Sequence, residues 1–349
     1  MPSGQFKTSY SEDIKIFQTL WAKSWLWAFL VFLVVMPLFA DKYTIYMSNL
    51  VGIAVIGVLG LNILSGYTGQ ISLGHSAFLA LGAYCLTLLT LKLNMPFWLA
   101  LPLSGCFSAF CGLLLALPCL RLRGLYLAIA TFAFYFIVEY VITHWDSLTN
   151  GTSGLTVPEP ELFGLAIDSD IKLYYLIMAL AALSMIFAKN LFRSEAGRAF
   201  IAIRDNDIAA EVIGINITKY KILAFMTCSF YAGIAGALYA VTLSFIGPEH
   251  FTFLMTIEYL AMGLVGGIGT IAGTVFGALF ITALPEAIRF LRDWLGNDFP
   301  FLVSRMADLQ SSIYGLVIIV FLIFEPSGLF GIWLRLKKYW LAWPYSYNK

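Results

Sequence analysis

Long apolar runs recur through this chain, and they constrain its fold more than any other feature. Each run is long enough, at about 20 residues, to cross the hydrocarbon core of a bilayer as a helix. Of the 349 residues, 60% are hydrophobic and only 12% are charged, whereas a soluble domain carries about 25% charged residues. We therefore predict an all-α integral membrane protein, a polytopic bundle of about ten transmembrane helices. The predicted spans are 25–40, 45–64, 71–91, 97–118, 124–143, 173–189, 222–245, 253–267, 271–288 and 309–324.

Charges in the short loops predict the orientation of the bundle, because loops rich in Lys and Arg stay in the cytoplasm. Segment 190–221 is basic, whereas 144–172 holds five acidic residues and one lysine. We predict that 190–221 is cytoplasmic, that 144–172 is an external loop, and that both termini, including 1–24, are cytoplasmic. The whole chain, 1–349, is predicted to form a single domain. Segment 289–305 fits this topology poorly and is predicted to be an interfacial helix.

Several functional classes are excluded by what the sequence contains and lacks. A formal net charge of +1 gives no support for a nucleic-acid partner. The five cysteines lie in or beside apolar runs without metal-ligand spacing, so we interpret them as small apolar residues rather than disulfide partners or metal ligands. No G-x-x-x-x-G-K-[ST] phosphate loop occurs, so the chain has no such site for ATP, and we predict no cofactor in it. Three scattered histidines and no paired-carboxylate motif argue against an enzyme.

The largest predicted cytoplasmic segment contains a short helix. Asp205 or Asn206 can cap its N-terminus, and Asp207 suits the positive end of the helix dipole. Gly214 is a natural residue to end it. A short amphipathic helix of this kind is suited to docking into a groove on a partner. The alternative is a helical connector packed on its own bundle, and the residues alone leave both interpretations open.

Two glycine-rich stretches resemble each other, Gly66-Tyr-Thr-Gly-Gln-Ile71 and Gly266-Gly-Ile-Gly-Thr-Ile271. Transporters often carry duplicated halves with broken helices near the substrate path. Both stretches start from the cytoplasmic side in the predicted topology, which an inverted repeat of five helices does not predict. A true repeat and a chance similarity therefore both remain possible interpretations.

The short helix and its surroundings resemble the EAA-type coupling loop of ABC importer permeases. The resemblance rests on Ala209, Ala210 and Glu211 followed by Gly214, in the order Ala-Ala-Glu rather than Glu-Ala-Ala. More specifically, the stretch Leu-Ser-Gly-Tyr-Thr-Gly-Gln-Ile-Ser-Leu-Gly-His resembles the LivM-type permease of branched-chain amino-acid importers, in the hydrophobic amino acid transporter family. The stretches that carry this resemblance are 60–78, 124–128, 150–154, 197–206 and 264–278.

The resemblance implies a complete ABC importer in the bacterial inner (plasma) membrane, surrounded by lipid. A homologous, LivH-like permease subunit pairs with this chain, and two cytoplasmic ATPase subunits bind ATP and Mg. A periplasmic or extracellular substrate-binding protein delivers the substrate. The implied cargo is a branched-chain or other hydrophobic amino acid. Urea or a short amide is the alternative, because closely related permeases carry those compounds.

The resemblance and the residue chemistry together give two sets of candidate site residues. The predicted ATPase-coupling residues are Arg204, Asp205, Asp207, Ala209, Ala210, Glu211 and Gly214. The predicted translocation path contains Gly69, Gln70, Ser72, Gly74, His75, Ser76, Glu139 and Glu258.

Each ionisable candidate in a span also has a simpler interpretation. Glu139 and Glu258 fall near the outer ends of their spans, where they can meet the ammonium of an entering amino acid or pair with solvent. His75 is a proton relay or a polar packing residue. An ion-driven secondary transporter needs a buried carboxylate near the bilayer midplane, and neither glutamate is predicted there.

The third predicted span carries a face of small residues. Positions on one helical face recur at steps of three or four, and such a face is either a packing seam or the lining of a polar path. The residues are Ser72, Ser76, Ala80, Ala83 and Thr87.

Overall fold

The computed structural model describes residues 20–120, 124–162, 165–167, 169–295 and 327–342, with Leu122 and scattered positions between 312 and 325. Among these residues, seven helices are long and apolar enough to cross a membrane. They span Lys42–Tyr67, His75–Leu93, Phe97–Cys119, Leu125–His144, Asp170–Arg193, Ile217–Leu243 and Ile271–Phe290.

We number the described helices in chain order. They are α1 (Leu20–Phe39), α2 (Lys42–Leu61), α3 (His75–Leu93), α4 (Phe97–Cys119), α5 (Leu125–His144), α6 (Asp146–Thr149), α7 (Asp170–Arg193), α8 (Glu195–Asp205), α9 (Asp207–Val212), α10 (Ile217–Leu243), α11 (Phe253–Gly266), α12 (Ile271–Leu295) and α13 (Gly328–Ala342). A π-helical segment (Asn62–Tyr67) continues α2, and short 3-10 turns lie at Gly151–Ser153 and Pro248–His250.

The remaining predicted spans have different outcomes. The first, 25–40, coincides with α1. The eighth, 253–267, is α11, which has only 14 residues and therefore spans roughly 21 Å, less than a hydrocarbon core of ~30 Å. The tenth, 309–324, lies largely outside the described residues. The predicted interfacial segment 289–305 does not begin a separate helix, because α12 continues unbroken to Leu295, and residues 296–305 lie outside the described residues.

Helix α10 lies at the centre of the bundle and packs against α2, α3 and α4. Small residues make this packing close, as expected where helices associate in a membrane. A Cβ atom added at Gly82 would overlap the carbonyl oxygen of Gly233, so the backbones of α3 and α10 are in direct contact.

Large apolar side chains cover the outside of the bundle. Examples on α1, α4, α5 and α7 are Phe39, Leu114, Ile137 and Leu183, all of them exposed. Water would penalise such a surface, whereas lipid tails accommodate it. The exterior therefore agrees with a membrane-embedded protein.

Two antiparallel ribbons add a little β structure to the predicted all-helical fold. Strand β1 (Leu155–Thr156) pairs with β4 (Phe245–Ile246), with Leu155 opposite Ile246. Strand β2 (Glu161–Leu162) pairs with β3 (Leu165–Ala166). Each strand has two residues, too few to produce an alternating sequence pattern. The β1–β4 ribbon joins the external-loop segment to the far end of α10, and the start of α10 lies at the opposite end, beside α8 and α9.

Candidate functional site

Helix α9 is the short helix predicted in the basic segment. Asn206 caps it, because its side-chain oxygen accepts a hydrogen bond from the backbone N–H of Ala209 at 3.0 Å. Of the two predicted caps, Asn206 is the one used, since Asp205 is the last residue of α8. Gly214 follows the end of α9 with a φ of 90°, which confirms its predicted role as the stop.

One face of α9 is apolar and exposed. Ile208 is 64% exposed, Val212 82% and Ile213 74%. Ala210 on the other side is buried, and Asp207 lies 3.9 Å from Lys221 at the start of α10. The helix is therefore fixed to the bundle on one side and presents apolar side chains on the other.

Arg204 connects the basic segment to the first glycine-rich stretch. Its Nη1 donates a hydrogen bond to the carbonyl oxygen of Gly66 at 3.0 Å, and its Nη2 lies 3.1 Å from the Asp205 carboxylate. Gly69 lies against the same arginine, because a Cβ added there would be 3.0 Å from Arg204 Cγ. Glu211, like Ile208 beside it, is exposed.

The predicted third span begins later than expected, and this corrects the prediction. Residues 68–74 are irregular, and α3 begins at His75. The irregular segment enters the bundle, because the His75 ring lies 3.9 Å from the Cys228 sulfur. Cys228 is roughly 17 Å along α10 from its first residue. Helix α3 therefore starts in the interior of the bundle, as a discontinuous helix does.

Hydrogen bonds from distant helices hold the start of α3. The Ser76 N–H donates to Thr256 Oγ1 at 3.0 Å, and that hydroxyl donates to Ser76 Oγ at 2.8 Å. The Leu73 N–H donates to Thr131 Oγ1 at 2.9 Å. Thus α3, α5 and α11 meet at one polar point inside the bundle.

The structure brings most of the predicted path residues together here. Ser72, Gly74, His75 and Ser76 are buried. His75 Nε2 and Gln70 Nε2 are buried without a hydrogen-bond partner in the described part of the chain. Gly69 lies beside Arg204 of α8, rather than at the start of α3.

The two predicted carboxylates belong to α5 and α11, the two helices that bond to the start of α3. Glu139 is half-buried and lines a small cavity of ≈ 10 Å³ with Ala77, Ala80 and Tyr135. Glu258 is also half-buried and lies two residues after Thr256, near the start of α11.

The small-residue face of α3 is real but shorter than predicted. Ser72 lies outside the helix, so the helical spacing does not apply to it. Ser76, Ala80, Ala83 and Thr87 are all buried, and the Thr87 hydroxyl donates to the backbone of Ala83. Both the seam and the path interpretations survive, because the face is packed and yet borders the cavity beside Glu139.

Three polar residues of the site were missed from the sequence. Asn62, Thr131 and Thr256 are buried and bond to residues far away in the chain. A buried Asn inside an apolar run was the available signal for Asn62, because unpaired amides are costly in a bilayer. Thr131 and Thr256 gave none, since threonine is common in membrane helices. Within the described residues, no group of three or more His, Cys, Asp or Glu could hold a metal ion.

Comparison with known proteins identifies the family of the chain. Residues 43–322 match the family described as branched-chain amino acid transport system, permease component. The high-affinity branched-chain amino acid transport system permease proteins LivM of Salmonella typhimurium and Escherichia coli K12 are each 32% identical over 335 residues, covering 89% of this chain and 75% of theirs. A probable LivH permease of Methanocaldococcus jannaschii is 26% identical, covering 83% of this chain and 92% of its own. No solved structure matches the chain.

A helical bundle with an apolar exterior, several membrane-spanning helices and a discontinuous helix is characteristic of a multi-pass membrane permease. The chain belongs to the family of permease components of branched-chain amino acid ABC transport systems. It is accordingly a transport subunit and not an enzyme.

Proposed function

We propose that this chain is the translocation subunit for branched-chain or other hydrophobic amino acids in the bacterial inner membrane. The names of its LivM and LivH relatives support this substrate class. We propose ten crossings with both termini in the cytoplasm, the coupling segment 190–221 inside and the loop 144–172 outside. The whole chain, 1–349, forms one permease domain.

The complete importer would contain further subunits. A LivH-like permease pairs with this chain, two ATPase subunits hold ATP and Mg on the cytoplasmic face, and an external binding protein delivers the substrate. This chain holds no cofactor in the proposal.

The exposed apolar face of α9 is the observation that carries the coupling role. A cluster of exposed apolar side chains on a capped helix is the kind of surface that docks into a groove on a partner. In the proposal, closure of the ATPase dimer pushes α9 and shifts the bundle between its two access states. The substrate enters at the outer end, beside Glu139 and Glu258. It then passes along the segment from Gly69 to Ser76.

Replacing Ile213 with Asp tests this proposal. The Ile213 side chain is 74% exposed, so the change leaves the bundle intact but places a carboxylate in an apolar contact. We expect Ile213→Asp to insert in the membrane normally and to lose co-purification with the ATPase subunits. The control Ile213→Leu keeps the apolar surface and retains the ATPase subunits.

Normal co-purification and uptake by Ile213→Asp would mean that α9 is a connector only. The ATPase subunits would then bind elsewhere on the chain.

A further inference from the structure

The two glycine-rich stretches that resemble each other in sequence lie side by side in the fold. One follows the π-helical end of α2 and the other joins α11 to α12. The stretches touch, since a Cβ atom added at Gly66 would lie 2.7 Å from the Gly269 nitrogen. Asn62, four residues before the first stretch, bonds to the second: its Nδ2 donates to the carbonyl oxygen of Thr270 at 3.1 Å and its Oδ1 accepts from the Gly269 N–H at 2.7 Å. The Asn62 side chain, only 3% exposed, uses both ends of its amide across this contact.

Arg204 bonds to the same helix end. Gly66 lies one turn beyond Asn62, in the last turn of the π-helical segment, where backbone carbonyls lack partners within the helix. The Arg204 guanidinium supplies a charged donor to the Gly66 carbonyl, and such bonds are stronger than neutral ones. The first residue of α9, Asp207, follows Arg204 by three positions.

We propose that these contacts form a brace that transmits the movement of α9 to two helix junctions at once. The brace consists of Arg204, the Gly66 carbonyl, Asn62, and the backbone of Gly269 and Thr270. It rests on the proposed coupling role of α9 and assigns Asn62 and Arg204 as positioning residues for transport. Neither residue needs to touch the substrate.

The conformation of the two stretches suits this role. Gly69 and Gly269 have φ values of 68° and 83°, a region that glycine occupies without strain. Each stretch therefore contains a residue that can absorb a change of backbone angle, as hinge positions do. The hydrogen bonds from Asn62, one turn before the first stretch, to the second stretch make the movements of the two junctions dependent on each other.

A merely structural role for Asn62 is the competing interpretation, since its amide also satisfies two buried backbone groups. The two interpretations differ in how uptake and ATP hydrolysis change. A structural defect lowers both together through loss of folded complex, whereas a broken brace lowers uptake per ATP hydrolysed. Two residues that belong to the same set of contacts are also coupled, so the effects of substituting them are non-additive.

The experiment compares complete importer complexes in proteoliposomes, with binding protein and leucine as the substrate probe. Uptake per ATP is measured for Arg204→Ala, Asn62→Asp and the double variant. Asn62→Asp keeps the acceptor for the Gly269 N–H and removes the donor to Thr270. We expect each single variant to lower uptake per ATP by about tenfold, within the usual range of coupling between sites. We expect the double variant to show about the same tenfold loss, because either change already breaks the brace.

Matched controls are Arg198→Ala and Asn49→Asp. Arg198 lies on α8 and bonds to the Arg193 carbonyl instead, and Asn49 is a buried amide of α2 away from the junction. Both controls should keep the uptake per ATP of the unsubstituted complex. An unchanged ratio in the single variants, equal losses in the controls, or a double variant about a hundredfold down would each overturn the brace.

Failure of the brace is distinguishable from failure of the proposed coupling role. If Ile213→Asp loses the ATPase subunits while the Asn62 and Arg204 variants transport normally, α9 couples to the ATPase without the brace. If Ile213→Asp retains the subunits and transports normally, the coupling role itself is wrong, and the brace loses its input.

Discussion

The absence of a side chain at Gly82 sets how closely α3 approaches α10. The Gly82 backbone lies directly on Gly233. Helix α3 is the discontinuous helix, and α10 lies at the centre of the bundle. Ala80, two residues earlier, instead borders the small cavity beside Glu139. Single positions on α3 thus face either a rigid contact or a space of about one water.

Replacing Gly82 with Ala should destabilise the protein, because the added methyl overlaps the Gly233 carbonyl and pushes α3 from α10. Overpacking of this kind costs ~1–3 kcal/mol, and we expect a lower Tm in detergent. Gly263→Ala on α11 is the control, since its nearest neighbour would be Val58 Cγ1 at 4.0 Å. The control should be neutral or slightly stabilising, and equal Tm values for both variants would contradict the close contact.

Ala80→Leu distinguishes the packing seam from the polar path. A cavity of ≈ 10 Å³ is too small for three further carbon atoms, so we expect a loss of ~1–3 kcal/mol in stability. Ala133→Leu on the exposed side of α5 should leave the Tm unchanged. If Ala80→Leu instead keeps its Tm and ATP hydrolysis but loses uptake, the face lines the path.

At the scale of elements, α9 is a six-residue helix whose geometry depends on its two ends. Asn206 caps the start and Gly214 ends it, while Ala210 anchors its inner side. A helix this short is not stable alone. Its caps and its contact with α10 are therefore what keep the exposed apolar face in place.

Ala210→Pro should break α9. The substitution removes the hydrogen bond from the Ala210 N–H to the Asn206 carbonyl, 3.0 Å in length, and costs ~3 kcal/mol or more within a helix. We expect normal insertion in the membrane but loss of uptake and of binding-protein-stimulated ATP hydrolysis. Ala210→Ser keeps the helix and serves as the control. Normal transport by the proline variant would show that α9 needs no helical structure.

At the scale of the whole molecule, α8 and α9 lie at the opposite end of the bundle from the β1–β4 ribbon. Helices α7 and α10 both run between the α8–α9 end and the β1–β4 end. A cleft of ≈ 350 Å³ opens beside the external loop, and Glu159 and Glu161 line it. The bundle therefore presents the apolar face of α9 at one end and the cleft lined by Glu159 and Glu161 at the other.

Cysteine labelling tests the orientation. In a background without the five native cysteines, Ser153→Cys should react with an impermeant thiol reagent from outside, because Ser153 is exposed and lies in the loop that is external in the proposed topology. Thr218→Cys, exposed at the start of α10, should react only after the membrane is disrupted. The opposite pattern would invert the bundle and remove α9 from the cytoplasm.

Neutralising both Glu159 and Glu161 to Gln tests the acidic cleft as a contact for the binding protein. We expect weaker stimulation of ATP hydrolysis by the binding protein, with a larger effect at low salt, because exposed charges are screened. Glu195→Gln at the opposite end is the control. Identical stimulation curves at low salt would mean that the two carboxylates are only a solvated face.

The sequence by itself determined the helical membrane class, the position of most spans and the short helix before Gly214. These features depend on local properties, namely the length of apolar runs and the chemistry of helix ends, which residues close together in the chain express. The family was also readable, because its glycine-rich stretches are contiguous.

Only the tertiary structure decided where α3 starts and which residues meet there. The predicted span begins at Ile71, four residues before α3, yet Thr131 and Thr256 accept the backbone N–H groups that a helix would have used internally. Asn62 likewise bonds to residues more than 200 positions away. Such partners come together only when the helices pack, so no local pattern could have predicted them.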